Sequence, residues 1–137
     1  MNYLTPSENA MRSSTGLTWL NENGIIIAVA NEHETHTLKD AEENNRVTII
    51  LAQDIRRPFL IDMTKVKSMS REARAFYAGP EPMKALTAVA ILTNSNMGKL
   101  VANFFLGLTK PQLPTRLFTD ADAAIQWLSQ YLKTDNN

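Results

Sequence analysis

The segment that most constrains the fold runs from Arg57 to Gly79 and joins a wholly apolar run to an amphipathic one. Residues 59–61, Phe-Leu-Ile, are short and continuously apolar, which is typical of a strand buried on both faces of a sheet. Ser70 can cap the helix that follows, and Gly79 with the proline after it ends that helix. The segment therefore predicts a central strand, a short loop and a helix, which is the basic unit of α/β proteins.

A β-hairpin is predicted before this unit. Residues 17–20 and 25–30 are rich in strand-forming residues, and they flank a turn that contains Asn23 and Gly24. Residues 1–14 lack periodicity and predict a flexible tail, so the domain is expected to span residues 15–132, with 133–137 frayed.

A helix is predicted over residues 37–54, after a polar loop at 31–36. Thr37 can cap it, and Asp40 lies in its first turn, where the helix dipole favours an anion. The β-branched run at 47–51 also allows a strand. The helix is favoured because no breaker precedes that run and because an apolar stripe is present, namely Leu38, Ala41, Ile49 and Ala52.

Strands and helices continue to alternate to the end of the chain. Strands are predicted at 87–93 and 114–118, and helices at 97–108 and from 121 to about 132, the last after a capping box at 119–122. The order is β-β-α-β-α-β-α-β-α. It predicts an α/β fold with a mixed sheet of about five strands and four helices.

Composition excludes several classes of function. The 137 residues carry 14 Lys and Arg and 14 Asp and Glu. The net charge is therefore zero, and the chain as a whole has no electrostatic attraction for nucleic acid. There is no cysteine, and no apolar run is long enough for a membrane span. We expect a soluble cytoplasmic protein without a cofactor.

The order of elements and three stretches resemble the STAS and anti-sigma-factor-antagonist-like fold, in particular a branch of small uncharacterised bacterial proteins. The stretches are residues 62–74, 103–108 and 114–119, and the likeness covers about residues 15–132. The resemblance implies a STAS-like fold and a regulatory, non-enzymatic role.

The resemblance also implies where a phosphate switch would lie. In the family, a serine in an Asp-Ser-Ser-Gly segment at the start of a helix accepts a phosphate, and Ser70-Arg71-Glu72-Ala73 stands at that place. Arg71 and Glu72 supply fixed charges there, so we do not expect the family switch, although Thr64, Ser68 and Ser70 are nearby hydroxyls.

A crevice is predicted where the central strand ends, because ligands of α/β sheets bind at the carboxyl ends of strands. Its candidate residues are Asp62, Thr64, Ser68, Ser70, Arg71 and Arg74. They suit a protein partner or, alternatively, a small anion or lipid-like ligand. The plain alternative is that Asp62 organises its loop and that the arginines are solvated surface charge.

Other candidates for chemistry are weak. His33 and His36 lie among glutamates, but their spacing does not match a zinc motif, and we expect a solvated loop rather than a metal site. With no nucleophile motif and only two histidines, the sequence does not favour an enzyme.

The predicted helix at 97–108 has an unusually wide apolar stripe, which suggests a second packing partner. Its candidate partner residues are Met97, Val101, Phe104, Phe105 and Leu108. The sequence therefore predicts a protein-interaction module that forms a homodimer or binds another protein; the alternative is that this helix is core within one subunit.

Overall fold

The computed structural model describes residues 5–94 and 112–132, and the helix predicted at 97–108 lies outside these residues. Strands and three helices alternate in the described parts, as the chain order predicts. None of the described helices has the length and apolar character needed to cross a membrane. The elements are β1 (Met11–Ser13), β2 (Gly16–Leu20), β3 (Ile26–Ala30), β4 (His33–His36), α1 (Leu38–Ala52), β5 (Arg57–Asp62), β6 (Val66–Met69), α2 (Arg71–Ala78), β7 (Leu86–Leu92), β8 (Thr115–Phe118) and α3 (Ala121–Ser129).

The main sheet has six strands in the order β1-β2-β3-β5-β7-β8. β1, β2 and β3 pair antiparallel, whereas β3, β5, β7 and β8 are parallel. Phe59 of β5 pairs with Ile26 of β3 on one side and with Val89 of β7 on the other. The predicted mixed α/β sheet is therefore confirmed, with the 59–61 run in its middle.

Alternation along β5 divides the core into two layers, because successive strand residues point to opposite faces. Phe59 and Ile61 belong to the cluster on the side of α1, which includes Ala52. Leu60 belongs to the opposite cluster, into which α3 inserts Ile125 and Leu128. Both faces of β5 are thus covered by helices, as a continuously apolar strand requires.

A second, two-stranded parallel sheet is formed by β4 and β6, at positions predicted to be loops. The loop prediction at 31–36 was wrong. Residues 33–36 are all polar, so they show no apolar strand pattern in the sequence, yet they pair with the short strand β6. Residues 11–13 likewise form strand β1, inside the segment predicted as a tail.

The helix caps show which helix starts could be located from the sequence. Thr37 and Asp40 form a reciprocal capping box at α1, and Ser70 accepts the Ala73 N–H at α2, both at the predicted residues. At α3 the cap is Asp120, one residue after the predicted Thr119, because its carboxylate accepts the Asp122 N–H.

Two glycines allow the hairpin to form. Gly24 has φ +95° in the turn, a conformation that side chains rarely adopt, as the Asn-Gly pair predicts. Gly16 faces β3 so closely that a Cβ on it would lie 2.0 Å from the Val29 carbonyl oxygen. A side chain at position 16 would separate β2 from β3.

Candidate functional site

The predicted crevice begins at Asp62, which ends β5 and is 7% exposed. Its Oδ1 accepts hydrogen bonds from the Thr64 N–H (2.9 Å) and from the Thr64 hydroxyl (2.7 Å). The Asn94 side-chain amide donates to the Thr64 carbonyl (2.8 Å), which ties the corner to the end of β7. These contacts make Asp62 a residue that fixes the corner, the role that short acidic side chains commonly have in turns.

The two predicted serines are also engaged within the chain. The Ser68 and Thr35 hydroxyls share a hydrogen bond of 2.8 Å that links β6 to β4. The Ser70 hydroxyl accepts the Ala73 N–H (3.1 Å), while the Ser70 N–H donates to the His36 carbonyl. Ser70 therefore starts α2 and also anchors that start to β4.

The predicted arginines lie on α2, with Arg71 exposed and Arg74 partly buried. Within the described residues, no hydrogen bond or ion pair joins Asp62 to either arginine. The structure thus pairs Asp62 with Thr64 and Ser68 with Thr35, rather than bringing the six residues into one bonded cluster. A small-anion or lipid-like ligand at this place stays a prediction.

His36 is buried in β4, contrary to the solvated loop that the sequence predicted. Its Nε2 lies 2.7 Å from the Tyr77 hydroxyl, and the two rings stack with centroids 5.7 Å apart. The described residues contain no group of three His, Asp or Glu side chains arranged to hold a metal ion.

A buried polar chain extends from this pair into α1, and the sequence analysis missed it. Asn44 donates through Nδ2 to the Tyr77 oxygen (3.3 Å) and accepts from the Thr18 hydroxyl (3.4 Å). Because the Tyr77 oxygen accepts from Asn44, its own hydrogen can point to Nε2 of a neutral His36. This hydrogen-bond network joins β2, α1, α2 and β4.

Burial changes the chemistry of the Tyr77 phenol within this hydrogen-bond network. Burial raises the pKa of the Tyr77 phenol far above its ordinary value of 10.0, the Asn44 hydrogen bond opposes that rise, and the charge of Asp40 adds to it. A phenol with so high a pKa stays protonated at neutral pH and is a poor proton donor. A cavity of about 10 Å³, lined by Thr18, His36 and Asn44 among others, adjoins the chain and has room for about one water molecule.

An open groove of about 800 Å³ lies between α1 and α2. Its α1 wall carries exposed apolar side chains: Leu38 is 36% exposed, Ile49 42% and Ile50 56%. Ala75 and Phe76 form the apolar part of the α2 wall, and charged and polar residues complete the lining, namely Glu42, Asn45, Arg46, Glu72 and Glu81. We call this feature the α1/α2 groove.

The α1/α2 groove exists because α1 is oriented differently from the sequence prediction. Of the predicted inward stripe, Ala41 and Ala52 are buried, but Leu38 and Ile49 face outward. The inward face instead carries the polar residues Asn44 and Thr48, together with Val47 and Leu51. Because those polar residues are bonded to one another and to β2 and α2, they lie inside, and the isoleucines are left outside.

The predicted partner residues Met97, Val101, Phe104, Phe105 and Leu108 lie outside the described residues. Their role stays a prediction. The α1/α2 groove was not predicted, although the adjacent pair Ile49-Ile50 is a signal for it, since two consecutive isoleucines cannot both share a narrow inward stripe.

Comparisons with known proteins agree with this architecture. A family model described as a domain of unknown function, DUF7793, matches residues 18–132. No curated protein matches the chain.

Among solved structures, an uncharacterised DUF3478-family protein from Shewanella loihica PV-4, described as having a SpoIIAA-like fold, is 23% identical. The match covers 87% of this chain and 90% of that one, with a TM-score of 0.51. A protein of unknown function from Arthrobacter sp. FB24 is 31% identical over 88% of this chain and 97% of that chain, with a TM-score of 0.36. The Shewanella structure confirms the predicted STAS-like fold.

Proposed function

Because the chain belongs to the DUF7793 family, which is described only as a domain of unknown function, we propose a role from its own surface. The proposal is a non-enzymatic protein-interaction module that docks its partner in the α1/α2 groove. The observation that carries it is the grouping of three exposed apolar side chains, Leu38, Ile49 and Ile50, along one wall of a groove.

Hydrophobic burial supplies the driving force for such docking. Fully burying an aliphatic side chain is worth about 1.5–3 kcal/mol, and these three side chains are each between 36% and 56% exposed. Covering all three is therefore worth roughly 2–4 kcal/mol, which suits the centre of a modest interface. Single exposed apolar residues are ordinary, but exposed apolar side chains at both ends of one wall of a groove, with Phe76 on the other wall, suit a binding site.

In this proposal, the polar residues of the predicted crevice have a structural role. Asp62, Ser68 and Ser70 hold the corner, β6 and the start of α2 through intrachain hydrogen bonds. α2 also supplies Glu72 and Phe76 to the groove, although none of the six predicted crevice residues lines it. We propose that the corner positions α2 as the second wall of the docking surface.

A photo-cross-linking residue tests the location of the docking surface. It is placed at Ile50, inside the groove, or at Ile55, which is 45% exposed and does not line the groove. In cells of the source organism we expect a discrete adduct from position 50 that position 55 does not form. We also expect this adduct to disappear when Ile49→Asp is added.

The proposal is wrong if position 50 gives no adduct, or if positions 50 and 55 give the same adducts. Equal thermal stability of the two labelled chains serves as the folding control. This comparison is direct because both positions are isoleucines with similar exposure.

A further inference from the structure

We infer that the occupant of the α1/α2 groove is helix α1 of a second copy of this chain, packed antiparallel about a twofold axis that passes midway between Glu42 and Arg46. The inference rests on the proposed function, because it names the partner for the same surface. It differs from the predicted dimer through residues 97–108, since it uses only described residues of α1 and α2.

The spacing of the groove-lining residues on α1 is self-complementary. Leu38, Glu42, Arg46 and Ile50 follow one another at intervals of four, so they form a single ridge along the helix. In an antiparallel pair centred on position 44, residue 38 meets residue 50 of the other copy, and residue 42 meets residue 46. Each apolar end therefore meets an apolar end, and each charge meets its opposite.

The contact length is suitable for a helix pair. Positions 38 and 50 are about 18 Å apart along a helix that rises 1.5 Å per residue. Ridges at intervals of four on both helices align at a crossing angle of about 50°, which keeps the central Glu42 and Arg46 contacts nearest the axis. An interface that a twofold axis generates uses the same patch on both copies, which a palindromic charge pattern satisfies.

Glu42 and Arg46 are available for such pairing. Both are exposed, and neither makes an ion pair within 4 Å inside the part of the chain that the structure describes. In the antiparallel pair, each copy contributes one of each, which gives two Glu–Arg contacts across the axis.

The charge balance of the groove favours a second copy over a strongly basic peptide. Glu81 is paired with Lys84 at 3.1 Å, and Glu42 is balanced by Arg46 on the same wall. With Lys84 included, the charged residues of the lining then leave one net negative charge, that of Glu72. A groove close to neutrality has little to attract a cationic helix but complements a copy of itself.

The α2 wall completes the site for the second helix. Phe76 and Ala75 face the same concavity as Ile49 and Ile50, so an entering α1 helix contacts both walls. Two copies joined in this way bring four helices together, in which each α1 packs against its own α2 and against both walls of the other copy's groove.

Charge reversal tests the inference by sedimentation velocity at low salt and high micromolar concentration. We expect the natural chain to sediment as a species of about twice 15.3 kDa. Glu42→Arg or Arg46→Glu alone places like charges together twice, and each should weaken the dimer by at least about tenfold. An equimolar mixture of the two variants should restore dimerisation to within about threefold of the natural chain, because opposite charges then meet again.

A matched control separates this geometry from a general charge effect. Arg12→Glu and Glu22→Arg make the same changes of net charge at exposed positions outside the groove. Neither control, alone or mixed with the other, should change the dimer. Circular dichroism of each variant checks that the chain is folded.

The inference is overturned if the natural chain sediments as a monomer, if the single reversals leave the dimer unchanged, or if their mixture fails to restore it. The cross-linking at Ile50 then decides the fate of the proposed function. An adduct with a different protein keeps the docking surface and rejects the second copy, whereas no adduct rejects both.

Discussion

Helices α1 and α3 cover opposite faces of the same sheet and distribute their side chains in opposite ways. On α3, Ala124, Ile125 and Leu128 are buried, and polar residues face outward. On α1, Asn44 and Thr48 are buried, whereas Ile49 and Ile50 are exposed. Helix α3 follows the usual amphipathic rule, and helix α1 reverses it in part.

The difference shows that the two faces are stabilised by different forces. The α3 face depends on apolar burial, in which each side chain contributes through the area it removes from water. The α1 face depends in part on hydrogen bonds that are directional and must all be formed. The apolar residues displaced to the surface of α1 are then available for an intermolecular contact.

The largest expected effect tests the apolar face. Leu128→Ala removes a fully buried side chain from the cluster beneath α3 and should lower the free energy of unfolding by about 2–5 kcal/mol. Urea denaturation followed by circular dichroism measures it. A loss below about 1 kcal/mol would contradict the assignment of Leu128 to the core.

The next effect tests the polar face. Asn44→Ala removes the partner of both Thr18 and Tyr77 and should lower the free energy of unfolding by about 1–3 kcal/mol. Lys39→Ala, at an exposed position on the same helix, is a comparison for helix propensity. Equal denaturation midpoints for these two variants would show that the polar chain contributes nothing.

A smaller effect depends on pH. Tyr77→Phe removes the hydroxyl from His36 and Asn44 and should lower the free energy of unfolding by about 1 kcal/mol at pH 7. Because burial raises the pKa of Tyr77 in the folded state above its unfolded value of 10.0, the unfolded chain loses this proton first as pH rises. The natural chain should then lose about 1.4 kcal/mol per pH unit above pH 10 in addition to other losses.

The phenylalanine variant lacks that titration, so its stability deficit should shrink between pH 10 and 11. Urea denaturation of both proteins at several pH values measures the difference. A deficit that stays constant over this range would mean that the Tyr77 hydroxyl is not buried.

The smallest expected effect tests the outward face of α1. Ile50→Ser replaces a side chain that is 56% exposed, so the free energy of unfolding of the isolated chain should change by at most about 0.5 kcal/mol. Denaturation at low protein concentration, where association is negligible, measures it. A loss comparable to that of Leu128→Ala would place Ile50 in the core and remove the basis for the docking surface.

Apolar patterns and caps allowed most of the fold to be predicted. The run at 59–61, the Asn-Gly turn and the caps Thr37 and Ser70 act locally, so their positions are visible in the sequence. β4 and β6 were missed because their residues are largely polar and because pairing between strands 33 residues apart leaves no local pattern.

The candidate site was harder to predict because it depends on which face of α1 turns inward. Asn44 and Thr48 look like surface residues until Thr18 and Tyr77 are seen to bond to that helix. Asp62 and Ser70 were predicted as site residues. Their hydrogen bonds in the structure show that Asp62 fixes the corner after β5 and that Ser70 caps α2. Hydrophobic periodicity alone does not show whether α1 turns a hydrogen-bonded asparagine or two isoleucines toward the core.

The margins of the main sheet limit how this protein can assemble. Among the described strands, β1 and β8 stand at the two ends and have three and four residues, and each carries an exposed arginine, Arg12 and Arg116. Short, charged borders are poor templates for an incoming strand. The described margins of the sheet therefore offer little for growth into open-ended fibres, and the proposed pair uses a different surface, the helical covering.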